Sequence, residues 1–259
     1  MPEILEIEAY RRLAEQSLGR PVAAVRADDS WYLKGGTTAR ALREALVGRS
    51  FVEARRRGKL LLLDTEDGPV LGLRFGMTGR LVVDGRAGVD QLLYSSQEER
   101  TQWNRFTLDF EDGGALWIRD PRRLGGVELD PGEDRLGTDA WTITPEELGD
   151  ALVSRAPLKA RLMDQRRVAG LGNLITDEVL WRAGLDPARP AESLAEDELS
   201  RLHEHLRTAL DEMAALGGSH TGGLQASRVR GASCPRDGTP LERRTIGGRT
   251  TYSCPAHQR

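Results

Sequence analysis

The sequence is poor in cysteine and contains no long apolar run. Cys234 and Cys254 are the only cysteines among its 259 residues, and both lie near the end of the chain. No apolar run approaches the roughly 20 residues of a membrane-spanning helix, and the first 20 residues are charged rather than signal-like. We therefore expect a protein that stays in the cytoplasm and has no membrane partner. We also expect its two cysteines to bind a metal rather than form a disulfide.

Lysine is absent from residues 217–259, although that segment is strongly basic. It carries seven arginines and two acidic residues, whereas the whole chain has a formal net charge of -3. The overall charge argues only weakly against nucleic acid, because an average hides how the charge is distributed. The sequence thus predicts a basic appendage on an acidic body.

Hydrophobic spacing predicts an α+β fold with two main domains and a small appendage. Glu3–Leu18 has helical spacing, and from Gly19 to about Leu129 short apolar runs alternate with turn signals, which favours an antiparallel β-sandwich. After the Pro-Gly-Glu-Asp segment at 131–134 the period becomes helical again. We predict strands at 51–54, 59–64, 70–75 and 106–110, and helices at 145–154, 158–164, 173–183 and 194–216. The predicted domains are 1–130, 146–217 and 218–259, with a linker at 131–145, and there are no internal repeats.

The opening Met1-Pro2-Glu3 is the most informative tripeptide. Methionine before a small residue such as proline is normally removed, which would expose the secondary amine of Pro2. An α-amino group has a pKa of about 8, so a useful fraction is unprotonated at neutral pH and able to attack a sugar C1′. Glu3 stands next to this amine and could shuttle protons. The alternative is that Pro2 only begins a helix whose N-terminus the glutamates stabilise.

Three segments together resemble one family of DNA repair enzymes. They are the start Met-Pro-Glu-Ile-Leu-Glu-Ile-Glu, the tripeptide Arg57-Gly58-Lys59, and the run Leu162–Glu178 with its central Gly-Leu-Gly-Asn. In them the chain resembles the formamidopyrimidine-DNA glycosylase and endonuclease VIII family, along essentially its whole length. The resemblance implies an N-terminal helix with an antiparallel β-sandwich, then a helix-two-turn-helix domain, then a C-terminal zinc-finger-like β-hairpin.

The resemblance also implies which residues carry the chemistry. Pro2 corresponds to the family's nucleophile, Glu3 to its general acid/base, and Glu6 to a glutamate that supports the site. Lys59 corresponds to a lysine that contacts the phosphate and sugar of the lesion. A compact ammonium suits that role, although a solvated lysine that opens a strand is the alternative.

Two further segments, Gly76–Gly79 and Asp120–Gly125, resemble the loops from which family members insert side chains into DNA. An enzyme that acts on a base inside a duplex must extrude that base and fill the gap. By this resemblance Met77 and Leu124 are apolar wedges, and Arg122 contacts the orphaned partner base. The alternative is two β-turns with incidental exposed side chains.

Phosphate-binding residues are expected at two places. In the Gly-Leu-Gly-Asn segment, glycines would let the backbone approach a phosphate at a helix N-terminus, with Asn173 as the N-cap and a phosphate donor. Residues 247–249 are similar to the family's Gly-Gly-Arg turn. There, Arg249 is expected to bind phosphates that flank the lesion, and the arginine-rich tail fits that electrostatic role.

The family's zinc finger has two Cys-x-x-Cys pairs, and this chain keeps the spacing but changes the ligands. The corresponding residues are Cys234, Asp237, Cys254 and His257. Thiolate, carboxylate and imidazole all bind zinc, so we expect these four to hold one structural zinc ion. The alternative is a finger held by turn hydrogen bonds without metal. No organic cofactor is expected.

These features predict a bifunctional DNA glycosylase and abasic-site lyase of base excision repair. It would act as a monomer on damaged double-stranded DNA in the nucleoid. It would flip the damaged nucleotide into the cleft between its domains, form a Schiff base on Pro2, and cut the strand by β- or β,δ-elimination. A short Gly-, Ser- and Thr-rich bridge before the finger replaces the longer lesion-capping loop of formamidopyrimidine enzymes, which favours endonuclease VIII-like specificity. Two alternatives are a specialised glycosylase for bulky or alkylated adducts and a non-catalytic protein that binds damaged DNA.

Overall fold

The structure is a computed structural model that describes residues 2–89, 92, 98 and 100–259. The chain forms two compact units. One comprises Pro2 and Glu6–Glu133, and the other comprises Glu3–Leu5 and Asp134–Arg259. Helix α1 (Ile4–Ala14) gives residues to both units and ends earlier than the predicted Leu18.

The first unit is an antiparallel β-sandwich. Its strands are β1 (Val22–Arg26), β2 (Phe51–Arg57), β3 (Leu60–Thr65), β4 (Val70–Arg74), β5 (Arg80–Val83), β6 (Arg86–Ala87), β7 (Asn104–Phe110), β8 (Ala115–Arg119) and β9 (Gly126–Leu129). One sheet has the order β1-β7-β8-β5-β6 and the other the order β2-β3-β4-β9. Side chains from both sheets pack into one core, to which Phe106, Leu108 and Phe110 contribute from alternate positions of a single strand. The predicted sandwich is therefore confirmed.

A second helix, α2 (Ala39–Leu46), interrupts the stretch that we predicted to be entirely β. Thr38 caps it by accepting a hydrogen bond from the Ala41 N–H, and Leu42 and Leu46 are buried four residues apart. A cap residue followed by helix formers is visible in the sequence. The surrounding alternation of apolar runs and turns hid that signal.

The second unit is mainly helical. Its helices are α3 (Pro145–Leu152), α4 (Leu158–Leu162), α5 (Asn173–Ala183) and α6 (Glu196–Ala215). A short parallel pair, β10 (Thr138–Asp139) and β11 (Val168–Ala169), precedes α5, and the hairpin β12 (Glu242–Ile246) and β13 (Arg249–Ser253) follows α6. The order confirms the predicted fold class. The 3₁₀ turns within the described ranges are Glu15–Ser17, Ser30–Tyr32, Thr101–Trp103, Glu133–Arg135, Ala191–Ser193, Ser219–Thr221 and Gln225–Ser227.

Local sequence explains where these helices begin and end. Thr144 and Glu147 form a reciprocal capping box at the start of α3, with Pro145 in the first turn. Gly184 ends α5 in the left-handed conformation, at φ 70°. Along α6, Leu202, Leu206 and Met213 are buried at helical spacing in the core of the second unit. Among the residues described, no helix is long and apolar enough to cross a membrane.

Candidate active site and nucleic-acid interface

Pro2 and Lys59 line the same small cavity in the first unit. Pro2 is buried just before α1, and Lys59 lies in the two-residue turn that joins β2 to β3, rather than at the start of a strand as predicted. Gly58 precedes it at φ 55°, a conformation that a two-residue hairpin turn needs and that glycine adopts without strain. The cavity has a volume of about 220 Å³, and its remaining lining residues are Ile7, Arg74, Phe75, Gly76 and Leu124. The predicted loss of Met1 concerns a residue outside those described.

Glu3 is fully buried, and its carboxylate caps the N-terminus of α5. It accepts hydrogen bonds from the backbone N–H groups of Gly172 and Leu174, both at 2.8 Å, and of Ile175 at 3.3 Å. These groups have no partner inside the helix, and the helix dipole adds to their attraction for negative charge. The Glu3 carboxylate therefore lies where backbone N–H groups and the helix dipole both attract negative charge.

This arrangement corrects two expectations for the glycine loop. We expected its backbone to approach a phosphate, but the N–H groups at the start of α5 bind Glu3 instead. We also expected Asn173 to be the N-cap, but the N-cap is Gly172. A Cβ on Gly172 would overlap the Glu3 carboxyl group, so glycine is required here for a close approach to a carboxylate.

Glu6 lies in the first turn of α1 and is 3% exposed. Burial raises the pKa of the neighbouring Tyr10 phenol, and the charge of Glu6 adds to that increase. Tyr10 also donates its hydroxyl to the Gly79 carbonyl at 3.1 Å, in the segment that follows Met77. Glu6 thus belongs to the buried polar interior beneath one of the predicted insertion loops.

The three predicted insertion residues lie on two loops that are bonded to each other. Met77 and Arg122 are in contact, with 3.8 Å between a guanidinium nitrogen and the sulfur. Beneath them the buried Asp120 accepts the Thr78 hydroxyl at 2.5 Å and the Gly125 N–H at 2.8 Å. Leu124 is 48% exposed although it is apolar. The structure therefore brings all three side chains to one edge of the first unit.

The two predicted phosphate-binding residues lie next to each other in the second unit. Asn173 donates its side-chain amide to the Thr250 carbonyl at 3.1 Å, and Thr250 follows Arg249 directly in β13. Gly247 and Gly248, at φ 57° and 72°, form the tight turn that leaves the Arg249 guanidinium exposed. An amide N–H and a guanidinium on adjacent elements suit a phosphodiester.

A buried ion cluster, which we did not predict, supports the edge that carries Asn173 and Arg249. Lys159 and Asp177 are both fully buried and lie 2.6 Å apart, and Arg228 reaches the other Asp177 oxygen at 3.0 Å. Lys159 also donates to the Thr251 hydroxyl at 2.8 Å and to the Thr250 carbonyl at 3.2 Å. Burial lowers the pKa of Lys159 and raises that of Asp177, while their mutual attraction opposes both shifts. The cluster joins α4, α5 and β13.

The four predicted metal ligands converge in the second unit. Cys234, Asp237, Cys254 and His257 place one ligand atom each within 4.8 Å of all the others, and they are the group that the described residues offer for a metal ion. The His257 Nε2 lies 3.2 Å from the Trp181 carbonyl, to which it can donate, so Nδ1 faces the other three ligands. Two thiols, a carboxylate and an imidazole form a donor set that fits a tetrahedral zinc ion.

Two domain families of known proteins match this chain. Residues 1–127 match the model of the formamidopyrimidine-DNA glycosylase N-terminal domain, and residues 140–223 match that of the formamidopyrimidine-DNA glycosylase H2TH domain. This pair of domains defines a helix-two-turn-helix DNA repair glycosylase. The chain belongs to the formamidopyrimidine-DNA glycosylase family, as the sequence predicted.

Individual relatives agree with this assignment over the full length. A formamidopyrimidine-DNA glycosylase of Thermus thermophilus is 36% identical, with 100% of this chain and 98% of the relative covered. That of Paracoccus denitrificans is 35% identical, with 100% of both covered. Among solved structures, Lactococcus lactis Fpg in complex with abasic-site DNA gives a TM-score of 0.82 at 25% identity over 99% of each chain. MutM in complex with DNA that contains carbocyclic 8-oxo-G gives 0.83 at 26% identity over 100% of each.

Proposed function

We propose that this chain is a bifunctional DNA glycosylase and abasic-site lyase of base excision repair, with Pro2 as its nucleophile. The observation that carries the proposal is the shared cavity of Pro2 and Lys59, which pairs an N-terminal secondary amine with a cation. Removal of Met1 frees the Pro2 nitrogen. An α-amino group has a pKa of about 8, so a useful fraction of the freed Pro2 nitrogen is neutral and nucleophilic at neutral pH.

In the proposed reaction the Pro2 nitrogen attacks the sugar C1′ of a damaged nucleotide. The bond from C1′ to the base breaks, the base leaves with the electron pair, and opening of the sugar ring gives an iminium between Pro2 and C1′. Loss of a C2′ proton then expels the 3′ phosphate, and a second elimination at the other side of the sugar expels the 5′ phosphate. Hydrolysis of the iminium returns the free amine.

The other site residues assist these reaction steps by transferring protons or by binding the DNA. Glu3 accepts and returns protons as the base leaves and the ring opens, and Glu6 supports the site. Lys59 holds the phosphate beside the reacting sugar. The proposed substrate is damaged duplex DNA, and the chain acts on it as a monomer. We therefore expect the enzyme to act at the nucleoid. Met77, Leu124 and Arg122 would fill the gap left by the flipped nucleotide, and Asn173 and Arg249 would bind flanking phosphates.

Borohydride trapping tests the nucleophile directly. The purified chain is incubated with an abasic-site duplex and sodium borohydride, which reduces an iminium to a stable amine. We expect a covalent adduct whose DNA remnant maps by mass spectrometry to the peptide that begins at Pro2. A matched chain with an N-terminal extension before Pro2 should lose trapping by at least about 100-fold, because its Pro2 nitrogen is an amide. An adduct on Lys59, or none from the unextended chain on any lesion duplex, would overturn the proposal.

For the lesion we propose endonuclease VIII-like specificity for oxidised pyrimidines. The alignment with the Thermus relative runs over 288 positions although this chain has 259 residues, so that relative carries segments that this chain lacks. Between α6 and Cys234 this chain has only residues 216–233, with two 3₁₀ turns. Matched duplexes with an oxidised pyrimidine, an oxidised purine or an alkylated base should show fastest release of the pyrimidine. Fastest release of either other base would contradict this specificity.

We further propose that Cys234, Asp237, Cys254 and His257 hold one structural zinc ion. Metal analysis of the purified chain should find about one zinc per chain, and both Asp237→Ala and His257→Ala should lower its zinc affinity by at least about tenfold. Asp186→Ala is the matched control. Asp186 also binds the finger, through Arg244 at 2.6 Å, but it lies outside the cluster. Unchanged zinc affinity in both ligand variants would refute this ligand set.

A further inference from the structure

Trp31 is the one aromatic side chain among the described residues that lies exposed to solvent. It is 66% exposed, whereas the other described aromatic residues are buried or half-buried. The Lys34 ammonium lies 4.9 Å from the centre of the indole ring and donates to the Trp31 carbonyl at 2.6 Å. The pair therefore presents an apolar ring and a positive charge at one place on the first unit.

The segment that carries Trp31 is bonded to the loop that carries Leu124. Arg123 binds Asp29 through two hydrogen bonds of 2.5 and 2.7 Å, and the Lys34 N–H donates to the Val127 carbonyl at 2.8 Å. The two segments also touch between these bonds, because a Cβ on Gly125 would overlap the Tyr32 hydroxyl. Trp31 and Leu124 are thus both exposed on segments of the first unit that are bonded directly to each other.

We propose that Trp31 and Lys34 form a further DNA contact, beside the point where Leu124 inserts. This inference rests on the proposed function of the chain as an enzyme of damaged duplex DNA. An aromatic ring packs against a sugar or an unstacked base, and a lysine beside it neutralises a phosphate. Arg105 and Arg123 bind Asp29, so two guanidinium groups balance the charge of this carboxylate at the start of the Trp31 segment.

The test measures binding of the chain to a duplex with a non-cleavable tetrahydrofuran abasic site. Fluorescence anisotropy of the labelled duplex gives Kd, first at one salt concentration for all variants and then over a salt series for Lys34→Gln. Trp31→Ala should raise Kd about tenfold, and Trp31→Phe should raise it less, because an aromatic ring remains. Lys34→Gln should reduce the slope of log Kd against log salt by about 0.9. Val52→Ala is the matched control, since Val52 is an exposed apolar residue of the same unit, on β2. It should leave Kd unchanged.

A second readout reports on the indole itself. Binding of the duplex should quench part of the tryptophan fluorescence of the unmodified chain, and Trp31→Phe should remove that part. A Kd within twofold of the unmodified chain for Trp31→Ala, with quenching retained in Trp31→Phe, would overturn the inference. So would a change of oligomeric state in Trp31→Ala with unchanged DNA affinity, because the surface would then be a contact between copies. Failure of the unmodified chain to bind the duplex would instead count against the proposed function.

Discussion

Glu3→Gln is expected to slow release of a damaged base by at least about 100-fold, the usual effect of removing a general acid or base. The same substitution should slow borohydride trapping on a preformed abasic site by a smaller factor. The reason is that base departure, which needs proton transfer, has already occurred in the abasic substrate. Initial rates on paired duplexes, one with a damaged base and one with the abasic site, measure both effects.

Glu3→Gln also removes the charge that caps α5, so its structural effect must be separated from its chemical one. The amide keeps one oxygen but turns an NH₂ group toward backbone N–H donors at 2.8 Å, which should cost about 1–3 kcal/mol of stability. Glu198→Gln is a suitable control. Glu198 also caps a helix, accepting the Ala195 N–H at 2.9 Å, and it binds Arg189. The Glu198→Gln variant should be less stable than the unmodified chain, but base release should not fall more than trapping on the abasic site.

Equal losses on the two substrates in Glu3→Gln would contradict the chemical role. They would indicate that Glu3 acts only by holding the start of α5. Urea unfolding of both variants shows whether their stabilities are close enough for the comparison.

Short-range signals predicted much of the fold. Helix α5 was predicted at its observed bounds because a glycine at each end marks them and apolar spacing fills the interval. Helix α2 was missed because it lies inside a run of strand and turn signals, where local pattern favours the neighbours. Tertiary packing of Leu42 and Leu46 in the sandwich core overrides that pattern.

The candidate site was predictable only where a family resemblance supplied long-range information. No spacing rule places Met77 beside Arg122, 45 residues away, yet the resemblance assigned both to the insertion loops. The carboxylate of Glu3 illustrates the opposite case. It binds a helix start 169 residues later, and a phosphate and a carboxylate are equally suited to those N–H groups. The sequence could not say which anion would occupy them.

Asp177→Asn is expected to have the largest effect on stability, about 3–5 kcal/mol, because it leaves two cations without their shared counterion. Lys159 is fully buried, and Arg228 is almost so. Lys159→Met should cost less, since Asp177 then keeps Arg228 as its partner. The double variant Lys159→Met/Asp177→Asn should be more stable than Asp177→Asn alone, because it removes one of the unpaired charges. Urea unfolding of the three variants measures these differences.

The loss of stability in Asp177→Asn should also depend on pH, and the titration of Lys159 decides whether the loss grows or shrinks as pH rises. Burial already lowers the pKa of Lys159, and loss of Asp177 removes the main charge that opposes this shift, while Arg228 continues to repel the ammonium. In the unfolded chain a lysine titrates at about 10.4. If the pKa of Lys159 in the folded chain lies below that value, protonated Lys159 lowers the free energy of unfolding. This loss of stability is largest at low pH and disappears as pH rises toward the pKa of the unfolded chain.

The stability gap between Asp177→Asn and the unmodified chain should therefore narrow between pH 7 and pH 10. Part of the gap will persist, because Arg228 stays charged throughout that range. Replacing Lys159 by Met in the same background removes the titrating group, so the double variant should show a gap that does not narrow. A gap in Asp177→Asn that is constant or widens with pH would mean that Lys159 does not carry the unpaired charge. The 2.6 Å contact would then have little energetic weight in holding Thr250 and the adjacent Arg249 in place.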